Sequence, residues 1–475
     1  MDDTDLCYLP ATEMVAAYRE RRLSPIEVTG AILARLERLN PTLNAYCTVT
    51  AEAAMHAATL AAAARRGSRL GPLHGVPISI KDLIPTKGIR TTRGSRLFAN
   101  NLPEEDAPVV ERVKRAGAII LGKTNTPEFG WKGSTDNLLF GPTRNPWNLS
   151  RTAGGSSGGA TAAVAAGLGP LAVGSDGGGS IRIPSSFTGI FGLKPSFGRV
   201  PYYPPSPIGI LSHVGPMTRT VADAALLLDV IAGPDDRDRF TLPPAGISYL
   251  EVARAGAREG EARGLGGRRL AWSPDLGYAP VEPEVVEIAA AAARRLADLG
   301  CALEAEDPGF ADPAEALATL FYAGEGAFLR TMREGWRDLA DPGLVAATDE
   351  MAGLTAHQYV QATFVANAVW EVMRRFLTRY DALLTPTVAV PAFPLGMEGP
   401  TEVAGKPVKR LGWTPFSFPF NLTGQPAATI PAGVTRDGLP VGLQIVGRRH
   451  DDATVLRLAA AYEAAYPWGD KRPAL

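Results

Sequence analysis

Lysine is scarce in this chain: of its 48 basic residues only nine are lysines, the rest arginines. Arginine keeps its proton at any working pH, so each lysine that lies inside apolar sequence becomes conspicuous. Cysteine is scarcer still. Cys7, Cys47 and Cys301 are odd in number and show no CxxC spacing, which argues against a disulfide framework or a zinc site and fits a reducing compartment. Excess charge of either sign is missing too. A formal net charge of −1 supplies no basic field for nucleic acid, and there is no acidic tail. The longest apolar run, Ala160 to Val173, is too short to span a bilayer and contains Gly and Pro. The first residues, MDDTDLCYLP, are acidic and lack the apolar core of a secretory signal. The expectation is a soluble cytoplasmic protein without membrane or nucleic-acid partners. Its oligomeric state is not written in the sequence, and a homodimer is compatible with it.

With 45% hydrophobic and 20% charged residues, the chain can build an ordinary globular core. Ser24-Pro25-Ile26-Glu27 is a capping box that opens a helix from about Pro25 to Leu39, with Asn40-Pro41 as its stop. An Ala-rich helix follows to about Arg66. Val76, Ile78 and Ile80 alternate with Pro77, Ser79 and Lys81, a strand signal. A helix over 109–116 and a short buried strand over 118–121 come next, so the order suggests an α/β layer architecture. Later strands are expected near 381–384 and 427–431, a closing helix near 453–466, and an ordered Pro-rich loop over 202–216. No repeat or flexible linker divides the chain, which predicts one domain over 1–475. Its catalytic core would occupy about 65–235 and 380–460, and a helical lid or packing region about 235–380.

Two glycine clusters, GGSSGG at 154–159 and GSDGGGS at 174–180, bracket an Ala-rich segment that reads as a buried helix plus strand. A phosphate-binding P-loop needs GxxxxGK[ST], and no lysine lies between Lys132 and Lys194. A dinucleotide-binding fingerprint is not met either. Gly154 to Gly158 matches GxSxG, the nucleophile elbow of α/β-hydrolases, which also needs an acid and a later histidine. His213, His357 and His450 are available, but none stands in a context that marks it as catalytic. Simple turns would explain either cluster alone, but not two serine-bearing clusters around one helix.

The remaining reading is a serine nucleophile with its own oxyanion hole. Gly177-Gly178-Gly179 before Ser180 can turn several N–H groups toward one point. Such donors can hold the negative oxygen of a tetrahedral intermediate. A serine hydroxyl needs a base, and a lysine made neutral by burial can serve as one. Lys81 ends an apolar strand and Lys123 follows another, so spacing leaves both open.

The chain resembles the amidase signature enzymes over GPLHGVPISIKD (71–82), GKTNTPEFG (122–130), GPTRNPWN (141–148), AGGSSGGA (153–160) and GSDGGGSIRIPSSFTGIFGLKPS (174–196). The likeness resumes in FNLTGQPAATIPAG and GLPVGLQIVGRRHDD within 420–452 and is weakest over 235–380. It implies a large twisted mixed sheet covered by helices on both faces. It also implies a Ser–cis-Ser–Lys triad in which Lys81 is the base, Ser156 the bridging serine after a cis peptide bond, and Ser180 the nucleophile. The implied oxyanion donors are the N–H groups of Gly177, Gly178, Gly179 and Ser180, and no metal or cofactor is implied. Asp176 and Arg182 are expected to fix the loop by pairing. The implied activity is hydrolysis of a carboxylic amide. The alternative is the glutaminase-type component of a glutamyl-tRNA amidotransferase, which works within a larger assembly. The late segment with Trp413, Phe416, Phe418 and Phe420 reads as an apolar substrate wall, which favours the hydrolase.

Overall fold

The computed structural model describes residues 2–64 and 70–475. Eleven strands form one sheet: β1 (Tyr46–Val49), β2 (Pro77–Lys81), β3 (Ile119–Thr124), β4 (Leu171–Asp176), β5 (Phe191–Lys194), β6 (His213–Thr218), β7 (Arg269–Trp272), β8 (Ala302–Ala305), β9 (Ala382–Pro386), β10 (Ala427–Val434) and β11 (Pro440–Gly447). Their spatial order is β1-β3-β2-β4-β6-β5-β10-β11-β9-β7-β8. Strands β3, β2 and β4 run parallel, as do β9, β7 and β8. The strands between them pair antiparallel, so the sheet is mixed. Every residue of β2, β4, β6 and β11 is buried. A strand buried at both its odd and even positions is covered on both faces, and helices supply that cover. The α/β fold class read from the sequence is therefore the one observed.

Local chemistry explains most element boundaries. The helix Pro25–Leu43 begins at Ser24 with both capping-box hydrogen bonds present. It runs one turn beyond the expected stop at Asn40-Pro41. Pro41 removes only one hydrogen bond near the helix end, and Asn44 closes the helix in the left-handed region, φ 52°. The Ala-rich helix spans Ala51–Ala62, and the expected end near Arg66 lies outside the described residues. The helix Pro108–Arg115, strands β2, β3, β9 and β10, and the closing helix Asp452–Ala465 lie where the patterns put them.

Two expectations need correction. Residues 235–380 are not purely helical, because they contribute β7 and β8, which extend the main sheet. Each has only four residues and β8 is an exposed edge, so neither shows a clear period-two pattern. The Pro-rich stretch 202–216 is loop only as far as Ile208, since a 3-10 turn spans Gly209–Leu211 and β6 begins at His213.

Candidate active site

Three neighbouring pieces of chain converge at the ends of β2 and β4. Lys81 is the last residue of β2 and is fully buried. Ser156 lies in the loop leading into the helix Gly158–Ala165, every residue of which is buried. Ser180 follows β4 and precedes the equally buried helix Arg182–Thr188. The Gly155–Ser156 peptide bond is cis. A Cβ on Gly155 would lie 2.7 Å from the Ser134 carbonyl, so only glycine permits this approach.

Lys81 Nζ lies 2.7 Å from Ser156 Oγ and 3.0 Å from Ser175 Oγ. Burial draws its pKa down to about 7, with Asp176 pulling the other way. Ser175 escaped the sequence reading, although it stands inside the second glycine cluster. Asp82 turns away from the Lys81 amine, and its carboxylate accepts from the Thr92 N–H at 3.0 Å and the Thr92 hydroxyl at 2.5 Å.

Lys123 is also fully buried, and burial lowers it to about 8 against the pull of Asp82. Titration alone therefore does not separate the two lysines; strand register does. Ile80 pairs with Lys123 and Lys81 with Thr124, so the two amines leave opposite faces of the sheet. Lys123 Nζ donates to the Ile84 carbonyl, to Thr86 Oγ1 at 2.8 Å and to Thr91 Oγ1 at 3.1 Å. Those acceptors make it an anchor for the loop after β2.

Asp176 and Arg182 organise the glycine turn, and both are fully buried rather than at the surface. Burial would raise the Asp176 carboxyl, but Arg182, Lys194 and Asn421 hold it below the usual carboxylate range. Its Oδ1 accepts from the Gly179 N–H at 2.7 Å and its Oδ2 from the Ile181 N–H at 3.1 Å. Gly179, at φ 132°, lets the turn form. This is a correction to the expected donor set, since the Gly179 N–H is already engaged. Among the described residues, the N–H groups of Gly177, Gly178 and Ser180 have no such acceptor. Ser417 Oγ donates to the Gly178 carbonyl at 2.7 Å, and Asn421 Nδ2 donates to Asp176 Oδ1 at 2.9 Å. Arg182 in turn donates to Gln444 and Asn421. Ser417, Asn421 and Gln444 lie more than two hundred positions away, where no local signal could have pointed to them.

Two cavities meet at Ser180, whose side chain is half-buried. The first, about 840 Å³ including its mouth, is lined by Ser156, Ser175, Arg93, Glu325 and the Pro-rich segment 201–207. The second, about 600 Å³, is lined by Gly178, Trp131, Ile183 and Trp413. Of the aromatics expected to form a substrate wall, only Trp413 lines either of these cavities. Phe416, Phe418 and Phe420 are core residues, each at most 1% exposed. The helix Ala314–Leu329 covers both cavities through Leu317, Phe321, Glu325 and Phe328, which share one helical face. No short motif marks this helix, so only a lid or packing role could be read for it from the sequence.

The three histidines of the elbow reading do not join the serines. His357 and His450 are exposed. His213 is buried near the Leu211 carbonyl, 2.8 Å away, and burial followed by Lys194 drives its pKa well down.

Comparison with known proteins places the chain among amidases. The sequence profile of the family described as Amidase matches residues 27–456. An acylamidase of Rhodococcus erythropolis is 43% identical over 488 aligned positions, covering 100% of this chain and 99% of that protein. A glutamyl-tRNA(Gln) amidotransferase component of Moorella thermoacetica is 39% identical, with 99% of each chain covered. Among solved structures, a bacterial aryl acylamidase of the amidase signature enzymes superposes with a TM-score of 0.90 at 32% identity, covering 97% of both chains.

Proposed function

The chain belongs to the amidase signature family, and on that premise we propose that it hydrolyses a carboxylic acid amide through an acyl-enzyme on Ser180. It is an amidase, acting on carbon–nitrogen amide bonds. The observation that carries the assignment of roles is the wholly buried Lys81 amine, 2.7 Å from Ser156 Oγ beside a cavity shared by Ser156 and Ser180.

The chemistry follows from those positions. Neutral Lys81 accepts the Ser156 proton, Ser156 Oγ takes the proton of Ser180, and Ser180 Oγ bonds to the amide carbon. The carbonyl π pair moves to oxygen, where the free N–H groups of Gly177, Gly178 and Ser180 receive it. The proton returns through Ser156 to the nitrogen as the carbon–nitrogen bond breaks, leaving an ester on Ser180. Water, deprotonated by the same route, attacks that ester. The acid departs and Ser180 recovers its proton.

Among the described residues no helix is long and apolar enough to cross a membrane. Free cysteines, with Cys7 and Cys301 buried, support the cytoplasmic reading. The likeness to the amidotransferase component keeps a glutaminase reading open to test. Purified protein is to be presented, without ATP or partner chains, with aliphatic and aryl amides and with glutamine, while acid, amine and ammonia are measured. Hydrolysis of a simple amide well above glutamine is expected. Turnover of glutamine alone, or only with added partner chains, would transfer the chain to the amidotransferase reading.

A further inference from the structure

The two cavities that meet at Ser180 hold different chemistry. Ser156 lines only the first, whereas Gly178 and Trp413 line only the second. A leaving amine must gain a proton as its bond to carbon breaks, and in the reaction above that proton arrives through Ser156. The amine half of the substrate therefore lies in the first cavity. The acyl half lies along Trp131, Ile183 and Trp413 in the second. This placement rests on the Ser180–Ser156–Lys81 reading.

The wall of the first cavity is mixed, with Leu83, Ile84, Phe129 and Phe328 beside Tyr202, Ser206 and Ser212. Away from the serine turn, two of its side chains are charged, Glu325 and Arg93. Glu325 is 3% exposed, and its Oε2 is buried with no hydrogen-bond partner. Burial raises its carboxyl to about 8, against the pull of Arg93. The Arg93 guanidinium sits over the rings of Phe98 and Phe328, at 4.9 and 6.0 Å, and its Nε is likewise buried without an acceptor. No ion pair joins the two residues among those described. Buried polar atoms are ordinarily paired, and these two are unpaired in the wall of a cavity that also contains the nucleophile.

We infer that Glu325 and Arg93 select the amine half of the substrate, favouring amines that carry a neutral carboxamide or peptide group. Its N–H is donated to Glu325, and its C=O accepts from Arg93. The substrate class is then an N-acylated amino amide. A plain alkyl amine leaves both side chains unpaired. Above about pH 8, where Glu325 is ionised and offsets Arg93, an added ammonium meets Arg93, an added carboxylate meets Glu325, and either brings net charge into a desolvated wall. A neutral group with one donor and one acceptor satisfies both at once.

The test, run at about pH 9 so that Glu325 is ionised, uses the purified full chain and one acyl group that it cleaves, joined to propylamine, glycinamide, glycine or ethylenediamine. A fifth substrate carries the carboxamide on the acyl half instead. Amine release gives kcat and KM for each. Expected is a kcat/KM for the glycinamide substrate about tenfold or more above the propylamine substrate and above both charged ones, with no gain when the carboxamide sits on the acyl half. Glu325→Leu should bring the glycinamide-to-propylamine ratio close to one, mainly through KM. Glu325→Gln, whose amide oxygen still accepts, should keep most of the preference. Labelling of Ser180 by a fluorophosphonate reports that each variant is folded and competent. If Glu325→Leu does not fold, the wild-type ratio and Glu325→Gln still decide. A wild-type ratio near one, a preference for a charged amine, or a ratio preserved in Glu325→Leu overturns the inference. A flat ratio with Ser180 still labelled and amides still cleaved overturns only this inference. Absence of labelling and cleavage overturns the amidase mechanism with it.

Discussion

Lys81 shows how burial turns an ordinary cation into a base. Its amine is fully enclosed, touches Ser156 and Ser175, and titrates at about 7, so part of the population is neutral at physiological pH. Activity should therefore rise with pH through a single ionisation near neutrality and reach a plateau above it. A profile that falls across that range would contradict the assignment. Lys81→Met should lose about a thousandfold or more in turnover. Stability moves with pH in the same direction. The folded pKa lies below the ~10.4 of an unfolded lysine, so the unfolded state binds more protons between these values and wild-type stability rises with pH across that window. The desolvation penalty is complete below the folded pKa. The Tm difference, Lys81→Met minus wild type, should thus be more positive at about pH 6 than at about pH 9. Lys123→Met should instead lower Tm and leave the turnover of the folded fraction nearly intact, because Lys123 holds the loop containing Ile84, Thr86 and Thr91. Both lysines end apolar segments, so spacing could not rank them, and only the resemblance to the amidase signature enzymes pointed to Lys81. The one-residue difference in strand register that sends them to opposite faces appears only in the paired sheet.

At the scale of elements, the decisive unit is the turn between β4 and the helix Arg182–Thr188. Asp176 and Arg182 are fully buried within it and mutually compensated. Removing one partner leaves an uncompensated buried charge, which typically costs about 3–5 kcal/mol. Arg182→Ala should therefore lower Tm by several degrees and reduce activity through the misplaced turn, as thermal unfolding and turnover measured on one preparation would show. Unchanged Tm and turnover would mean that the pair does not hold the site. The glycine clusters and the Asp/Arg pair were legible because they are local in sequence. The engagement of the Gly179 N–H was not, since it depends on how Asp176 turns its carboxylate. The buttress from Ser417, Asn421 and Gln444 was equally hidden, for it needs the late strands to fold back across the sheet.

The whole molecule joins a motif-bearing half to a stretch whose role only the fold makes visible. Strands β2 and β4 place Lys81 and the serine turn side by side at the parallel end of the sheet. The alternating and capped segments of that half announced themselves by period and punctuation. Strands β7 and β8 did not, because four-residue strands beside long Ala- and Arg-rich helices carry too little pattern. The helix Ala314–Leu329 bears no recognisable motif, yet it roofs both cavities and supplies Glu325. Everything converges on one hydroxyl, at the junction of those cavities. The most direct test is to treat the intact protein with a fluorophosphonate and map the modified residue by peptide mass spectrometry. The account predicts a label on Ser180 that is lost in Ser180→Ala and slowed in Lys81→Met; a label on Ser156 or Ser157 instead would contradict it.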